Sequence, residues 1–218
     1  MTVRRTAEMP DLFAEPIERL AEGAMILRGF AIDDAARLMA AIQAIQKAAP
    51  FRHMVTPGGG WMSAAMTNCG SRGWVTDRKG YRYTAEDPET GKPWPALPPL
   101  FLDLARRAAE AADFPGFVPD GCLINRYEPG ARMGLHQDKD EQDRTAPIVS
   151  VSLGLPVVFL WGGLARRDRP VKHTLTSGDV AVWGGPSRFV YHGVAALEDG
   201  EHPVTGRYRY NLTLRRAV

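Results

Sequence analysis

Ala146-Pro147-Ile148-Val149-Ser150-Val151-Ser152-Leu153-Gly154-Leu155-Pro156-Val157-Val158-Phe159-Leu160-Trp161-Gly162-Gly163-Leu164-Ala165 is the stretch on which the fold class turns. It runs twenty residues without a charge, the length of a helical membrane span. Its details oppose that helix. Pro147, Gly154, Pro156, Gly162 and Gly163 would break it, and Val149, Val151, Leu153 and Leu155 alternate with Ser150, Ser152 and Gly154 at the period of a strand. The stretch reads as two core strands, and no membrane association is expected.

Working outward, the chain from Cys122 onward shows short strand-like runs separated by turns, at residues 122–127, 147–155, 157–161, 171–175, 179–183, 188–192 and 209–215. Such spacing predicts a mainly β fold, a sandwich or barrel of jelly-roll type, with helices packed outside. Asp33 or Asp34 can cap a helix running through Ala49, with Leu38, Met39, Ile42 and Ile45 on one stripe and Pro50 ending it. A second helix fits residues 100–112. Between the two, residues 52–99 are rich in Gly, Pro and aromatics, with strand-like pieces at 61–67 and 80–84, and read as a lid or loop-rich layer.

A chain of 218 residues is long enough for one domain with a substantial core and too short to expect two. The apolar share of 44% and charged share of 24% remove disordered and fibrous classes. A net charge of +2 permits an anionic partner without demanding one, so any basic footprint must be local. Cys69 and Cys122 form neither a CxxC pair nor a disulfide framework, and residues 1–15 hold no apolar signal-peptide core. A cytoplasmic monomer is the expectation.

The chemistry concentrates in Leu135-His136-Gln137-Asp138-Lys139-Asp140. In an extended run, side chains two apart share a face at roughly 6.6 Å, so His136 and Asp138 can reach one ion. A second histidine would complete a two-histidine, one-carboxylate facial set, which leaves three octahedral positions open and suits a non-haem Fe(II) centre. Among His53, His173, His192 and His202, spacing alone does not choose. His53 lies in the loop-rich half, His202 sits in a charged turn and His173 alternates like a packed strand residue. His192, ending an aromatic run before Gly193, is the choice.

In the last run, Arg209, Asn211, Thr213 and Arg215 share one face and Tyr210, Leu212 and Leu214 the other. The two arginine backbones would stand roughly 20 Å apart, and with side chains reaching about 6 to 7 Å inward they leave room for a short dicarboxylate. Guanidinium groups bind carboxylates through paired hydrogen bonds, so the pair suits a ligand with an acid at each end. Asn125 and Tyr127 alternate in the same manner. Taken alone, the strand reads more readily as a solvated face with ordinary surface arginines.

Together these motifs resemble the AlkB family of Fe(II)- and 2-oxoglutarate-dependent dioxygenases. The resemblance covers nearly the whole chain and rests on Met54-Val55-Thr56-Pro57-Gly58-Gly59, Ala65-Met66-Thr67-Asn68-Cys69-Gly70, Gly91-Lys92-Pro93-Trp94-Pro95-Ala96, Cys122-Leu123-Ile124-Asn125-Arg126-Tyr127 and the runs 135–141, 147–156 and 209–213, in that order. It implies a double-stranded β-helix core over residues 100–218, a nucleotide-recognition lid over 51–99, and an N-terminal extension and helix over 1–50. The implied iron ligands are His136, Asp138 and His192. Arg209 and Arg215 would hold the two ends of 2-oxoglutarate, with Asn125, Tyr127 and Asn211 assisting and O2 as the second co-substrate. Gly134 stands where the family leads one to expect a small polar residue.

The resemblance also implies direct reversal of alkylation damage: oxidative demethylation of bases such as 1-methyladenine and 3-methylcytosine in single-stranded DNA, with RNA as a second candidate. Trp74 aligns with the base-stacking residue, with His136 bordering the other face. Such methylated bases are cationic, so Asp140 beside the iron run would favour them over neutral bases. Tyr81, Tyr83, Met66 and Thr56 would line the groove, and Arg166 can approach a phosphate or the base. Two rival readings use the same residues: an oxygenase acting on a small molecule or protein side chain, and a zinc hydrolase or inactive nucleic-acid binding module. The second leaves the paired arginines without a purpose.

Overall fold

A computed structural model describes residues 16–218; the reading of residues 1–15 lies outside the described residues. The uncharged stretch folds as β8 (Ile148–Gly154) and β9 (Val157–Trp161), which lie in different sheets and are joined only by Leu155-Pro156. So sharp a crossing needs Gly154, whose φ is +94° and where a Cβ would run into Thr205 Oγ1 and the Tyr208 carbonyl. Val149, Val151 and Leu153 pack outward into one core cluster, whereas Ser150 faces the interior cavity. Both faces of β8 are buried, and its polar side lines the site instead of meeting water.

In chain order the other elements are β1 (Ile17–Ala21), β2 (Ala24–Leu27), α1 (Ala35–Ala48), β3 (Ala65–Gly70), β4 (Gly73–Asp77), β5 (Gly80–Thr84), α2 (Pro99–Ala111), β6 (Gly121–Tyr127), β7 (Met133–His136), β10 (Val171–Leu175), β11 (Val180–Trp183), β12 (His192–Val194) and β13 (Arg209–Arg215). Seven strands form the major sheet in the order β1-β2-β11-β8-β13-β6-β3, and four form the minor sheet, β10-β9-β12-β7. The pairing is antiparallel throughout. Inner faces of the two sheets share one apolar cluster, including Ile26, Tyr127, Phe159, Trp161 and Trp183, which gives the jelly-roll core. The β4–β5 hairpin stands apart as a two-stranded sheet.

Both helices cover the outer face of the major sheet. Leu38, Met39, Ile42 and Ile45 of α1 are buried as their spacing predicts, and join Phe101, Leu104, Ala105 and Ala108 of α2 against Val149, Val151, Leu212 and Leu214. Asp34 occupies the N-cap position but makes no capping bond. Its carboxylate instead pairs with Arg37 at 3.0 Å and with Arg107 of α2 at 2.9 Å, exchanging a local cap for a helix–helix tie.

Several boundaries differ from the sequence reading. The expected strand at 188–192 is instead a turn that follows a short 3-10 helix (Gly185–Ser187), and only His192 belongs to a strand; Pro186 and the buried anchoring of Arg188 override the strand propensity of Phe189-Val190-Tyr191. The piece expected at 61–67 begins at Ala65, with Trp61 making only an isolated bridge to Val55. Strands β1, β2, β4 and β7 were not anticipated, and β2 sits inside the major sheet against β11. Residues 17–27 therefore belong to the sheet rather than to an extension. Among the described residues, no helix is long and apolar enough to cross a membrane.

Candidate active site

His136 closes β7 and His192 opens β12, and the two are direct partners across that antiparallel pair. Their rings lie 4.4 Å apart. Asp138, two residues beyond the end of β7, reaches back so that its Oδ1 is 3.8 Å from His136 Nε2 and its Oδ2 is 3.8 Å from His192 Nε2. All three groups offer a ligand atom within 4.8 Å of one another. The other histidines are occupied elsewhere: His173 bonds Glu18, His53 bonds the Met62 carbonyl and His202 sits in a turn with Val204.

Each site histidine spends its other nitrogen on a backbone carbonyl, His136 Nδ1 on Gly134 O at 2.9 Å and His192 Nδ1 on Val190 O at 3.0 Å. That assigns the Nδ1–H tautomer and leaves both Nε2 lone pairs facing Asp138. Burial, helped by His136, pushes His192 down to about 4, so it is a neutral ligand near neutral pH. Burial would raise the Asp138 carboxyl, but Arg215, the two histidines and Arg188 hold it well below the usual range. A neutral His192 imidazole beside a committed Asp138 carboxylate suits a divalent metal.

The two inward arginines are not equivalent. Arg215 is already engaged: its Nη2 donates to Asp138 Oδ1 at 2.7 Å, its Nη1 bonds the Tyr83 hydroxyl at 3.2 Å, and its Nε lies 3.5 Å from Glu141. Arg209 is 1% exposed and has no carboxylate partner among the described residues. It donates once, from Nη2 to Ser152 Oγ at 3.0 Å, while Nε and Nη1 bond nothing. The guanidinium lies 5.1 Å over the Tyr127 ring, and burial depresses the arginine's pKa although the Tyr127 phenol opposes that shift. A buried cation with two idle donors is costly unless an anion joins it. Asn125 Oδ1 is likewise buried and unpartnered. Asn211 is held by Ser150, Thr213 and Asn125.

One cavity of about 420 Å³ joins these groups to the base-recognition candidates, and Met66, Trp74, Tyr81, Asp140 and Arg166 all line it. Trp74 stacks on Tyr81 at 5.6 Å and 17°, and its Nε1 donates to Asp140 Oδ2 at 2.8 Å. Two expected residues lie elsewhere. Tyr83 sits behind Arg215 with its hydroxyl 2.6 Å from Glu141, and burial raises its pKa well above the ordinary value. Thr56 lies outside the cavity lining, accepting the Gly60 N–H at 3.1 Å within a turn.

Sequence reasoning missed Arg188 and Glu141. Arg188 is 2% exposed and binds the carbonyls of Ala146 and Asp138 together with Glu141, at 3.0 Å. It thereby fixes the backbone of the metal-side run. Its sequence surroundings carry no periodic signal. Replacing Arg188 with Met removes the closer of Glu141's two arginine partners together with the bonds to the Ala146 and Asp138 carbonyls, and should cost about 3 kcal/mol, read as a drop in the urea midpoint.

Residues 23–215 match the model of the 2OG-Fe(II) oxygenase superfamily. Over 212 residues, 96% of this chain and 98% of the relative, the sequence is 58% identical to the alpha-ketoglutarate-dependent dioxygenase AlkB of Escherichia coli (strain K12). The chain belongs to the AlkB family. A solved structure of OsALKBH1 superimposes with a TM-score of 0.81 at 30% identity, covering 92% of this chain and all of that one. A partial AlkB-family relative from Arabidopsis thaliana, the DNA N(6)-methyladenine demethylase ALKBH1C, is 32% identical over 62% of this chain and 33% of its own length.

As an AlkB-family enzyme the chain is a dioxygenase that uses Fe(II), 2-oxoglutarate and O2. Its residues fit those groups. Asp138 Oδ2 is buried without a hydrogen-bond partner, 3.8 Å from His192 Nε2, and the idle donors of Arg209 are matched to a carboxylate at the buried end of the same cavity.

Proposed function

We propose that this chain removes N-linked methyl groups from the bases of nucleic acid, 1-methyladenine and 3-methylcytosine above all, restoring the normal base. The observation that carries the reading is a single cavity with two differently built ends. Its buried end carries the His136–Asp138–His192 set and Arg209; its exposed end carries an aromatic stack and a carboxylate. Bound iron and 2-oxoglutarate supply the oxidising power: one oxygen atom of O2 ends in succinate, beside CO2, and the other in an N-hydroxymethyl group that separates as formaldehyde.

In this reading His136, Asp138 and His192 hold the iron, and Arg209 receives the far carboxylate of 2-oxoglutarate with Asn125 and Tyr127 beside it. Arg215 positions Asp138 and borders the near end, while Asn211 orders the polar floor. At the exposed end Trp74, backed by Tyr81, offers a π-face to a base, with Met66 as apolar wall and Arg166 as cation at the mouth. Tyr83 acts indirectly by supporting Arg215, and Thr56 by shaping its turn. The methylated edge is the base-pairing edge, so the base must be single-stranded or flipped out, in DNA or RNA. The lid role of residues 51–99 follows from Trp74 and Tyr81, and Cys69 and Cys122, buried and unbridged although opposite each other across β3 and β6, support a cytoplasmic setting. One compact domain makes a monomer the default.

Asp140 gives this reading its damage selectivity. Because Asp140 also anchors the Trp74 indole, alanine there would disturb stacking as well as charge. Asp140→Asn keeps an acceptor and removes only the charge. It should lower kcat/KM on cationic 1-methyladenine or 3-methylcytosine about ten-fold, a small part of the Coulomb energy open to a partly solvated pair, and spare neutral 1-methylguanine. Equal losses on both would end the charge argument. The function itself is tested aerobically with Fe(II), ascorbate and 2-oxoglutarate on single-stranded oligonucleotides carrying either lesion. Restored base well above a His136→Ala control is expected; no difference from that control would refute the reading.

A further inference from the structure

Trp61 is 71% exposed, whereas the chain's other tryptophans are buried or half-buried. Single exposed apolar residues are ordinary, so its placement must carry the argument. Trp61 sits at the end of a tight hairpin. Thr56 N–H bonds the Gly60 carbonyl at 2.7 Å, Gly59 N–H bonds the Thr56 carbonyl at 2.8 Å, Val55 and Trp61 form a β-bridge, and Met62 N–H bonds the Met54 carbonyl at 2.8 Å. The hairpin is fastened to β4 by the Thr76 hydroxyl, which donates to the Val55 carbonyl at 3.2 Å, two residues from Trp74. Its next residue, Met62, is part of the active-site cavity wall. Consecutive side chains thus divide, one into the cavity and one into solvent at its rim.

The indole is also left clear. It joins none of the aromatic or cation–ring contacts among the described residues. A Cβ built at Gly58 or Gly59 would meet nothing within 4 Å, so the hairpin tip is open. An indole whose backbone is held in a hydrogen-bonded hairpin, beside a cavity that already has its own aromatic pair, does not serve the base inside it.

We propose that Trp61 is a stacking platform for a base adjacent to the target in the same strand, a subsite for polymeric substrate. The inference rests on the nucleic-acid reading above. Every base has a π-face, so the platform would be indifferent to sequence, and holding it in a hydrogen-bonded hairpin reduces the entropy lost on binding.

The test compares Trp61→Ala and Trp61→Phe with the unaltered enzyme on a methylated oligonucleotide and on the methylated mononucleotide. Trp61→Ala should raise KM for the oligonucleotide about ten-fold, within the range of one lost base–aromatic stack, with kcat nearly unchanged and mononucleotide turnover untouched. Trp61→Phe should recover most of the loss. An unchanged oligonucleotide KM, or the same loss on the mononucleotide, would overturn the subsite. Anisotropy with a labelled unmethylated strand in the absence of iron separates this from the demethylase reading: a ten-fold weaker Kd for Trp61→Ala supports the platform even if no base is restored, and an unchanged Kd overturns it.

Discussion

Replacing Asp138 with Ala should abolish turnover, by at least about a thousand-fold, since losing even the partners one contact behind a metal ligand costs 10–100-fold. The change removes the one anionic member of the three-residue set and the group that both Nε2 atoms face. It also removes the nearest anion from Arg215, which is buried, bonded to Asp138 at 2.7 Å and otherwise left with Tyr83 and the more distant Glu141. Stability should therefore fall by about 2–3 kcal/mol, the worth of one charged hydrogen bond. Asp138→Asn separates the two effects, because its amide oxygen still accepts from Arg215. Iron bound after anaerobic reconstitution and the urea midpoint are the two readouts. A variant that retained stoichiometric iron and normal turnover would remove Asp138 from the metal site.

Arg209→Met should show effects of opposite sign on ligand and fold. With 2-oxoglutarate absent, Arg209 is a buried cation whose side chain makes a single hydrogen bond among the described residues, to Ser152. An apolar side chain of similar length should leave the ligand-free fold as stable or stabilise it, by up to about 4 kcal/mol. The KM for 2-oxoglutarate should nevertheless rise by about thirty-fold or more, since losing one member of a buried charged pair in a complex costs about 2–5 kcal/mol. Ligand linkage supplies a second readout: 2-oxoglutarate should raise the Tm of the unaltered protein and fail to raise that of the variant at equal concentration. A destabilised variant that still responds to 2-oxoglutarate would mean that Arg209 is structural.

Where side-chain period and local chemistry coincide, the sequence was informative. The Val/Ser alternation of β8 and the Arg/Asn/Thr/Arg face of β13 each placed their polar side in the cavity, and the helical stripe of α1 buried the expected four residues. Short elements escaped. Met133-Gly134-Leu135-His136 is too brief to show a period, and Ile17–Leu27 forms strands only because β11 offers an edge. Arg188 was hidden because Phe189-Val190-Tyr191 has strong strand propensity, while the turn there is decided by bonds to residues more than forty positions away.

The difference between Arg209 and Arg215 was equally invisible. Spacing shows that both point inward, but only the fold shows that Arg215 spends its charge on Asp138 and Glu141 while Arg209 keeps idle donors. The same holds at the exposed end. Asp140 was identifiable by alternation with His136 and Asp138, yet its bond to the Trp74 indole joins residues 66 apart. The family resemblance supplied the function, and the geometry divides its work among particular atoms.

The central claim, that one cavity couples 2-oxoglutarate oxidation at its buried end to demethylation of a base at its exposed end, is tested most directly by counting three products of one reaction. Succinate, formaldehyde and restored base are measured together in an aerobic incubation with Fe(II), 2-oxoglutarate and a strand carrying 1-methyladenine. The account predicts equal amounts of all three, each lost when 2-oxoglutarate is omitted. Succinate formed while the methylated base stays intact, or base restored without 2-oxoglutarate, would contradict it.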